Sequence, residues 1–390
     1  MAAAVNSQPA ALATAEVDDL VRAGALAAAA EKLDALLLGG GASAQQWLQL
    51  AGLRRALRQP RRALEAVQRA LTLTPLDVMA LVMRASLLER LEDAGAGQAW
   101  DHALAQRPEG ELAPPLAQAV AAGEALRDAW LAARAAALAA AASVALATAD
   151  ADEASKIARF QSNVLRQTKV YRSQPSHYHW PGLAEREFHP RQRFSWLDAF
   201  EEATPVIRAE LEAVMRSDRA ELVPYLQYDE HEPLAQWREL NRNLDWTAIH
   251  LIDHGRRIAA NADQCPKTMA LLKLVEQPQI PGAGPTAMFS LLAPDKVIPP
   301  HTGVNNARLL CHLPLIVPEG CWFRVGAETR PWVEGEAFVF DDTIEHEAAN
   351  PSDLLRVVMI FDLWNPDLSE AEKRAISDII AADGAPTGGS

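Results

Sequence analysis

The sequence predicts an α+β multidomain protein in which an α-helical repeat array precedes a β-rich, double-sheet domain. The length of 390 residues corresponds to two or three domains at roughly 150 residues each. Residue usage changes near residue 155: nine of the ten histidines and all three cysteines lie beyond it. We therefore expect a flexible N-terminus, a helical domain, a β-rich domain and a flexible tail at residues 1–14, 15–155, 156–380 and 381–390.

Composition excludes several classes of protein. Hydrophobic content of 49% and charged content of 23% are typical of globular chains, which excludes wholesale disorder. The 37 basic and 51 acidic residues give a net charge of −14, which argues against nucleic acid or an anionic membrane surface as the main partner. Three cysteines are too few for a disulfide framework, so a reducing, cytoplasmic compartment is expected.

No targeting or membrane segment is expected from the sequence. The N-terminus has no basic stretch before an apolar run, as a secretory signal would. The most apolar run, Ala135–Ala149, is shorter than a bilayer-spanning helix and consists largely of alanine. We therefore expect no membrane partner.

The first half of the chain repeats. From Trp47, residues occupy the offsets of a 34-residue tetratricopeptide repeat: Trp47, Leu50, Ala51, Ala63, Val67, Ala70 and Pro75. A second copy follows 33 residues later at Ala96, Trp100, Ala103 and Pro108. A generic Ala-rich array of helical hairpins would give nearly the same pattern. Both interpretations predict an α-solenoid that offers a groove to a partner, closed by an Ala-rich helix after residue 111.

The second half carries apolar, branched or aromatic runs separated by turn residues, which indicates an antiparallel sandwich or small barrel. These runs are residues 289–294, 308–317, 321–329, 337–342 and 356–364. His301 and His346 sit just outside such strands. Two imidazoles brought together from strand ends form a common metal site, and neutral imidazole suits Fe(II), Ni, Cu and Zn.

An ordered series of motifs covers roughly residues 170–370: HWPGL (179–183), LDWTAIHLIDHGRR (244–257), CPKT (265–268) and the string from HTG at 301 to the end of FDLWNP. This series resembles the aspartyl/asparaginyl β-hydroxylase family of Fe(II)- and 2-oxoglutarate-dependent dioxygenases. The resemblance implies a double-stranded β-helix, of jelly-roll or cupin-like form, and Fe(II), 2-oxoglutarate and O2 as cofactor and co-substrates.

Carried onto this sequence, the resemblance implies that His301 and His346 bind the iron. Most 2-oxoglutarate oxygenases add a carboxylate two residues after the first histidine. Here that residue is Gly303, as in the family, so water would take the third position. The alternative is a carboxylate from Asp341 or Asp342, although these two more naturally orient the imidazole or the local turn.

The resemblance also implies the residues that bind 2-oxoglutarate. Arg356 matches the family's carboxylate-binding arginine, and a guanidinium permits a bidentate pair. Ser290 and His312 match positions that contact the co-substrate, and Trp246 matches an aromatic residue at the pocket wall.

One departure concerns the strand before His312. Animal family members have an arginine two residues before that histidine, where this chain has Leu310. Strand alternation places Arg308 on the same face, about 13 Å from His312 at ~3.3 Å per residue, so it is a candidate replacement. Three further residues are candidates for the same cavity, with ordinary turn or surface roles as the alternative: Asn305, Asn306 and Arg324.

The implied reaction is hydroxylation of an unactivated carbon with decarboxylation of 2-oxoglutarate to succinate, for which no catalytic base is required. The first hypothesis is a peptide-aspartate β-dioxygenase-like enzyme that acts on Cβ of Asp or Asn in a peptide or protein guided by the repeats. Gly255–Arg257 and Lys267 are a candidate basic patch for an acidic side chain, or else a solvated helix end. The alternatives are a free amino acid, small natural product or lipid precursor as substrate, a non-catalytic scaffold, and a cupin-like isomerase or hydrolase without 2-oxoglutarate.

Overall fold

The computed structural model describes residues 7–110, 113–217, 222–228, 231 and 235–384. The chain divides into two compact units, residues 1–165 and 166–390. The boundary lies ten residues beyond the expected one at 155, because the helix Ala151–Val164 packs on the preceding helix and belongs to the helical unit.

The expected flexible termini fall partly outside the described residues, namely at 1–6 and 385–390. The parts that the structure describes are largely helical, since the first helix begins at Ser7 and the last ends at Asp383. Helix formation at both ends therefore extends further than the sequence indicated.

The helical unit contains eight α-helices among its described residues: α1 (Ser7–Arg22), α2 (Leu26–Leu38), α3 (Ala44–Ala56), α4 (Pro60–Leu73), α5 (Val78–Arg90), α6 (Ala96–Leu104), α7 (Pro114–Leu146) and α8 (Ala151–Val164). Each helix packs on the next. Side-chain caps define several starts: Ser43 accepts a hydrogen bond from the Gln46 amide before α3, and Asp150 accepts one from the Glu153 amide before α8. The sequence prediction of a helical array is confirmed.

Small residues form the interior of this array. The repeat positions Ala51, Ala63 and Ala70 are fully buried, which allows neighbouring helices to approach closely. The same close packing of helices accounts for two glycines that lie inside helices. A Cβ on Gly97 would lie 2.2 Å from the Trp130 ring, and one on Gly123 would lie 2.2 Å from the ring of Trp100. In both places an indole occupies the space of the missing side chain.

Helix α7 corrects one expectation. It is 33 residues long, because the Ala-rich stretch is helical from Pro114 onward, and its most apolar part contains no buried residue. Among the described residues it is therefore the one helix long and apolar enough to cross a membrane. The expectation of a run too short to span was wrong. Length and composition are the only grounds, and one such helix is weak support for a membrane segment.

The second unit contains eleven strands among its described residues: β1 (Val223–Pro224), β2 (Trp246–Asp253), β3 (Arg256–Arg257), β4 (Ala287–Leu292), β5 (Lys296–His301), β6 (Arg308–Ile316), β7 (Trp322–Val325), β8 (Glu328–Pro331), β9 (Phe338–Phe340), β10 (His346–Asn350) and β11 (Arg356–Trp364). A seven-stranded sheet has the order β1-β2-β4-β11-β6-β9, with β3 on β2, and a four-stranded sheet has the order β5-β10-β7-β8. All these strand pairings are antiparallel. The expected antiparallel double-sheet domain is present.

The central strands of the seven-stranded sheet are buried on both faces. Along β11, Val357, Met359 and Phe361 belong to a core shared with helices on the outer face. Val358 and Ile360 belong to a second core, which includes residues of the four-stranded sheet. Period-two alternation therefore separates an outer face from an inner face that lies toward the second sheet.

Helices of the second unit are α9 (Leu197–Glu202), α10 (Thr204–Met215), α11 (Ala259–Ala262), α12 (Pro266–Leu272) and α13 (Glu370–Asp383). Residues from α9, α10 and α12 fill the outer core. The inner face thus remains available for polar side chains.

Candidate metal and anion site

Two histidines meet where the four-stranded sheet ends. His301 is the last residue of β5 and His346 is the first of β10, and the register pairs them directly across the sheet. Their ring centroids are 4.0 Å apart. The sequence placed both just outside strands, whereas the structure places them at the strand ends. The pairing of β5 with β10 is what brings the two imidazoles together.

The hydrogen bonds of both rings leave the same nitrogen free. Nδ1 of His301 donates to the Pro299 carbonyl at 2.8 Å, and Nδ1 of His346 donates to the Ile344 carbonyl at 3.1 Å. Burial lowers the pKa of His301 to about 3 and that of His346 to about 4. Both rings are therefore neutral at physiological pH, with the Nε2 lone pair unprotonated. Neutral imidazoles oriented by backbone carbonyls are typical metal ligands.

A carboxylate lies where a side chain at position 303 would be. A Cβ on Gly303 would lie 2.1 Å from Oδ2 of Asp342, and the Gly303 amide donates to the Asp342 carbonyl at 2.6 Å. The Asp342 side chain is almost fully buried, and its Oδ1 has no hydrogen-bond partner among the described residues. Within the described parts of the chain, no three His, Cys, Asp or Glu side chains are grouped as metal ligands. The structure thus brings together two histidines, with Asp342 beside them.

Asp341 has a different role and forms hydrogen bonds within its own turn. Its Oδ1 accepts hydrogen bonds from the amide and hydroxyl of Thr343, at 2.9 and 2.5 Å. Burial raises the pKa of Asp341 to about 7. Asp341 therefore stabilises the turn that leads to β10.

Arg356 is a buried cation without a hydrogen-bond or ion-pair partner in the described part of the chain. It is 2% exposed at the start of β11, and no hydrogen bond or ion pair joins its guanidinium to another described residue. The guanidinium carbon lies 5.5 Å from the centroid of the Trp332 ring. Burial lowers the pKa of Arg356 to about 10, so the group stays charged at neutral pH. An unpaired buried charge is costly, and an anionic ligand would remove that cost.

Polar and aromatic residues of the inner face surround this charge. Ser290 on β4 and His312 on β6 are buried, and Ser290 Oγ accepts a hydrogen bond from Trp246 Nε1 at 3.0 Å. Burial, and then the charge of Arg356, lower the pKa of His312 well below its usual range. His312 Nδ1 has no hydrogen-bond partner among the described residues. The four residues assigned to 2-oxoglutarate thus lie on one sheet face.

The structure adds aromatic residues that the sequence did not reveal. Trp332 stacks on His312 with ring centroids 5.6 Å apart, and its buried Nε1 lacks a partner among the described residues. Tyr225 stacks on Trp246 at 3.8 Å, and Trp237 lies 5.0 Å from His301. Trp332 follows β8 in a turn, RPWVEG, where no local pattern indicates a site. Only the folded contacts reveal these three residues.

Two candidates for the cavity have other roles. The Asn306 side chain exchanges hydrogen bonds with the backbone of Trp180, at 2.6 and 2.9 Å. Arg324 donates to the Gly326 carbonyl at 2.6 Å and forms ion pairs with Glu345 and Glu347. Local partners thus engage both side chains, which favours the alternative of ordinary turn or surface roles.

The arginines of the candidate basic patch form ion pairs with nearby aspartates. Arg257 pairs with Asp263 at 2.5 Å, and Arg256 lies 3.5 Å from Asp253. Both arginines are exposed. This favours the solvated-surface interpretation of the segment.

Arg308 lies close to two buried carboxylates. Its Nη2 lies 3.2 Å from Oδ2 of Asp342 and its Nη1 lies 3.9 Å from Oδ2 of Asp362. It lines a pocket together with His301, His346 and Leu310, and the buried Asn305 reaches the same pocket. This pocket, bounded by the histidine pair at one side, is called the outer pocket below.

Residues 201–366 match the family model described as aspartyl/asparaginyl beta-hydroxylase. Over these residues, which are less than half of the chain, the sequence is similar to that family. The mouse aspartyl/asparaginyl beta-hydroxylase is 35% identical over 147 residues, 37% of this chain and 20% of the mouse protein. The human aspartate beta-hydroxylase domain-containing protein 2 is 36% identical over 140 residues, 35% of this chain and 38% of that protein.

A third relative has a lipid in its name. The ornithine lipid ester-linked acyl 2-hydroxylase of Rhizobium tropici is 36% identical over 181 residues, 46% of this chain and 60% of that protein. The chain thus spans between a fifth and three fifths of the lengths of these three relatives.

Solved structures resemble about a third of the chain. PcrH of Pseudomonas aeruginosa shares 19% identity and a TM-score of 0.27, covering 32% of this chain and 94% of PcrH. The Yersinia enterocolitica chaperone SycD, in complex with a peptide of the translocator YopD, shares 14% identity and a TM-score of 0.29, covering 33% and 95%. With TM-scores below 0.5, these likenesses establish neither a repeat type nor a partner.

Proposed function

We propose that the second unit is an Fe(II)- and 2-oxoglutarate-dependent hydroxylase and that its two sheets form a double-stranded β-helix. The observation that carries the proposal is Arg356. Its buried guanidinium has no partner among the residues that the structure describes, and it lies on the same sheet face as Ser290 and His312. A planar guanidinium accepts a carboxylate in a bidentate pair. The distal carboxylate of 2-oxoglutarate fits this requirement.

The donor set near the histidine pair fits iron. His301 and His346 would bind the metal through Nε2, and Asp342 would stand next to it in the place of a side chain at Gly303. Two imidazoles with oxygen donors suit Fe(II). When bound, iron with 2-oxoglutarate and O2 supplies the oxidation of an unactivated C–H bond, with succinate and CO2 as co-products.

The remaining residues bind, orient and exclude water. Arg356 fixes the distal carboxylate, and the Ser290 hydroxyl, held by Trp246, donates a second hydrogen bond to the same ligand. Trp332 and Phe340, both packed on His312, keep the co-substrate site dry. A dry site strengthens the guanidinium–carboxylate pair.

The proposed acceptor is Cβ of an Asp or Asn residue in a peptide or protein, following the names of the animal relatives. An acyl chain is the second candidate. The Rhizobium relative acts on a lipid acyl chain by its name, and apolar side chains of Met288, Leu310 and Ile360 line the outer pocket.

The test is co-substrate turnover by the purified full-length chain. Protein loaded anaerobically with Fe(II) and 2-oxoglutarate should produce succinate when O2 is admitted, and His301→Ala should not. Thermal stabilisation by 2-oxoglutarate in the presence of Mn(II) checks binding alone. Metal binding without any effect of 2-oxoglutarate would favour a cupin-like isomerase or hydrolase. Absence of Fe(II) and Mn(II) binding would favour a scaffold.

A further inference from the structure

The outer pocket contains a carboxylate that is held in place with one oxygen unused. Asp362 on β11 is 1% exposed, and its Oδ1 accepts a hydrogen bond from the Thr286 amide at 3.0 Å. The side-chain amide of Gln277 donates to the Asp362 carbonyl at 3.2 Å. Oδ2 has no hydrogen-bond partner among the described residues. Asp362 lines the outer pocket, and its fixed carboxylate keeps one acceptor oxygen without a hydrogen-bond partner among the described residues.

The residue opposite Asp362 explains the unused oxygen. The register of β11 and β6 pairs Asp362 directly with Leu310, so the two side chains lie on the same sheet face. Leucine has no group that donates a hydrogen bond. An arginine at position 310 would have supplied a partner at this point.

Arg308 cannot satisfy both carboxylates of the pocket. Its shorter contact, 3.2 Å, goes to Asp342, and its distance to Asp362 Oδ2 is 3.9 Å, beyond hydrogen-bonding range. One guanidinium thus faces two buried carboxylates, each with one oxygen lacking a hydrogen-bond partner among the described residues. A substrate carboxylate in this pocket would meet a cation that is already paired and two groups of its own sign.

We propose that the outer pocket binds its substrate through a nitrogen group that donates a hydrogen bond to Asp362 Oδ2, a carboxamide or an ammonium, and not through a carboxylate. An N–H donor would satisfy the buried acceptor, and buried polar groups are normally paired. The inference rests on the proposed function in placing the substrate beside the histidine pair. Of the two amino acids in the family description, it selects asparagine over aspartate.

The test compares two ligands of equal shape, hexanamide and hexanoate, on full-length protein loaded with Zn(II) and saturating 2-oxoglutarate. Dissociation constants come from ligand-observed saturation-transfer NMR. Wild type should bind hexanamide at least about tenfold more tightly, which corresponds to roughly 1.4 kcal/mol. Asp362→Asn keeps the bond from Thr286 through its amide oxygen and presents N–H₂ in place of Oδ2. The preference should therefore reverse toward hexanoate.

Three further variants protect the test from misfolding, from general charge effects and from carboxylate binding at Arg356. Leu310→Arg places a cation opposite Asp362 and should also move the preference toward hexanoate, even where Asp362→Asn does not fold. Asp367→Asn removes one negative charge outside the outer pocket, where Asp367 pairs with Arg193, and should change nothing. The Arg356→Met variant, titrated in parallel, removes carboxylate binding at Arg356.

The outcomes separate this inference from the proposed function. A wild-type preference for hexanoate, equal affinities, or binding of neither ligand would overturn the inference. The 2-oxoglutarate affinity of the same samples reports on the proposed function. If 2-oxoglutarate binding is lost while the preference for hexanamide is retained, the proposed hydroxylase function is rejected. The proposal that Asp362 accepts a hydrogen bond from a ligand N–H group then still stands.

Discussion

Among the described residues, two arginines are almost completely buried, one in each unit, and their surroundings differ. Arg54 in the helical array is 1% exposed and donates to Glu31 at 2.7 Å, Asp34 at 2.8 Å and Gln59 at 3.0 Å. Arg356 in the sheet unit is 2% exposed and has no such partner among the described residues. The guanidinium of Arg54 therefore has three hydrogen-bond partners, whereas that of Arg356 has none among the described residues.

The difference separates a structural role from a ligand-binding role. The partners of Arg54 come from α2 and the turn before α4, so its hydrogen bonds tie helices together. Arg356 weakens the apo fold, because burial of an unpaired charge is unfavourable. A sequence that retains such an unpaired buried charge indicates a ligand that completes the site.

The largest expected effect is at the histidine pair. His301→Ala removes one of two metal-binding imidazoles, whose Nε2 is unprotonated and available. We expect metal affinity to fall by more than roughly 100-fold, since loss of outer-shell partners alone costs 10- to 100-fold in other sites. Isothermal titration with Mn(II) measures it, with His177→Ala as a control for an exposed histidine outside the outer pocket. Unchanged affinity would place the metal elsewhere.

The next effect tests Arg356 directly. Arg356→Met removes the guanidinium, and 2-oxoglutarate affinity should fall by about 30- to 1,000-fold, or roughly 2–4 kcal/mol for two charge-assisted hydrogen bonds. The apo protein should unfold at the same or a higher temperature, because an unpaired buried charge is gone. Calorimetry and ligand titration of one sample check both. A destabilised apo protein would show that Arg356 has a structural partner after all.

The sequence predicted the strands around Arg356 better than it predicted the contacts between their side chains. Apolar runs gave β4, β6, β9 and β11, and period-two alternation placed Arg308, Leu310 and His312 on one face. The strands that carry the histidine pair were missed, because β5 and β10 contain Pro, Lys, Glu and Asn in place of a branched apolar run.

Long-range pairing explains what else was missed. Asp362 becomes informative only once β11 lies against β6 with Leu310 opposite it. Trp332 reaches His312 from a turn, and Asp342 meets Gly303 across the ends of two strands. Each of these contacts joins residues at least 20 positions apart, for which local periodicity carries no information.

A smaller effect is expected at Arg54, the buried arginine with three hydrogen-bond partners. Arg54→Met should lower the free energy of unfolding of the helical unit by about 2–3 kcal/mol, because it removes three hydrogen bonds and leaves Asp34 without its partner. Affinity for 2-oxoglutarate should stay unchanged. Chemical denaturation monitored by circular dichroism at 222 nm is the measurement, with the exposed Arg61→Met as the matched control. A change in 2-oxoglutarate affinity would contradict the division of roles.

The smallest effect is a pH dependence of the outer pocket. Burial raises the pKa of Asp362 to about 6, with Arg308 opposing and Asp342 adding to the shift. A carboxyl group whose pKa is higher in the folded state favours folding most below its unfolded pKa. That contribution is lost as the pH rises through about 6. Relative to Asp362→Asn, which does not titrate, apo wild type should therefore lose about 1–2 kcal/mol of unfolding free energy between pH 4 and pH 7. Denaturation of both proteins across that range checks it. A difference in unfolding free energy that does not change with pH would mean that Asp362 is already paired. The case for a ligand in the sheet unit would then rest on Arg356 and the two histidines.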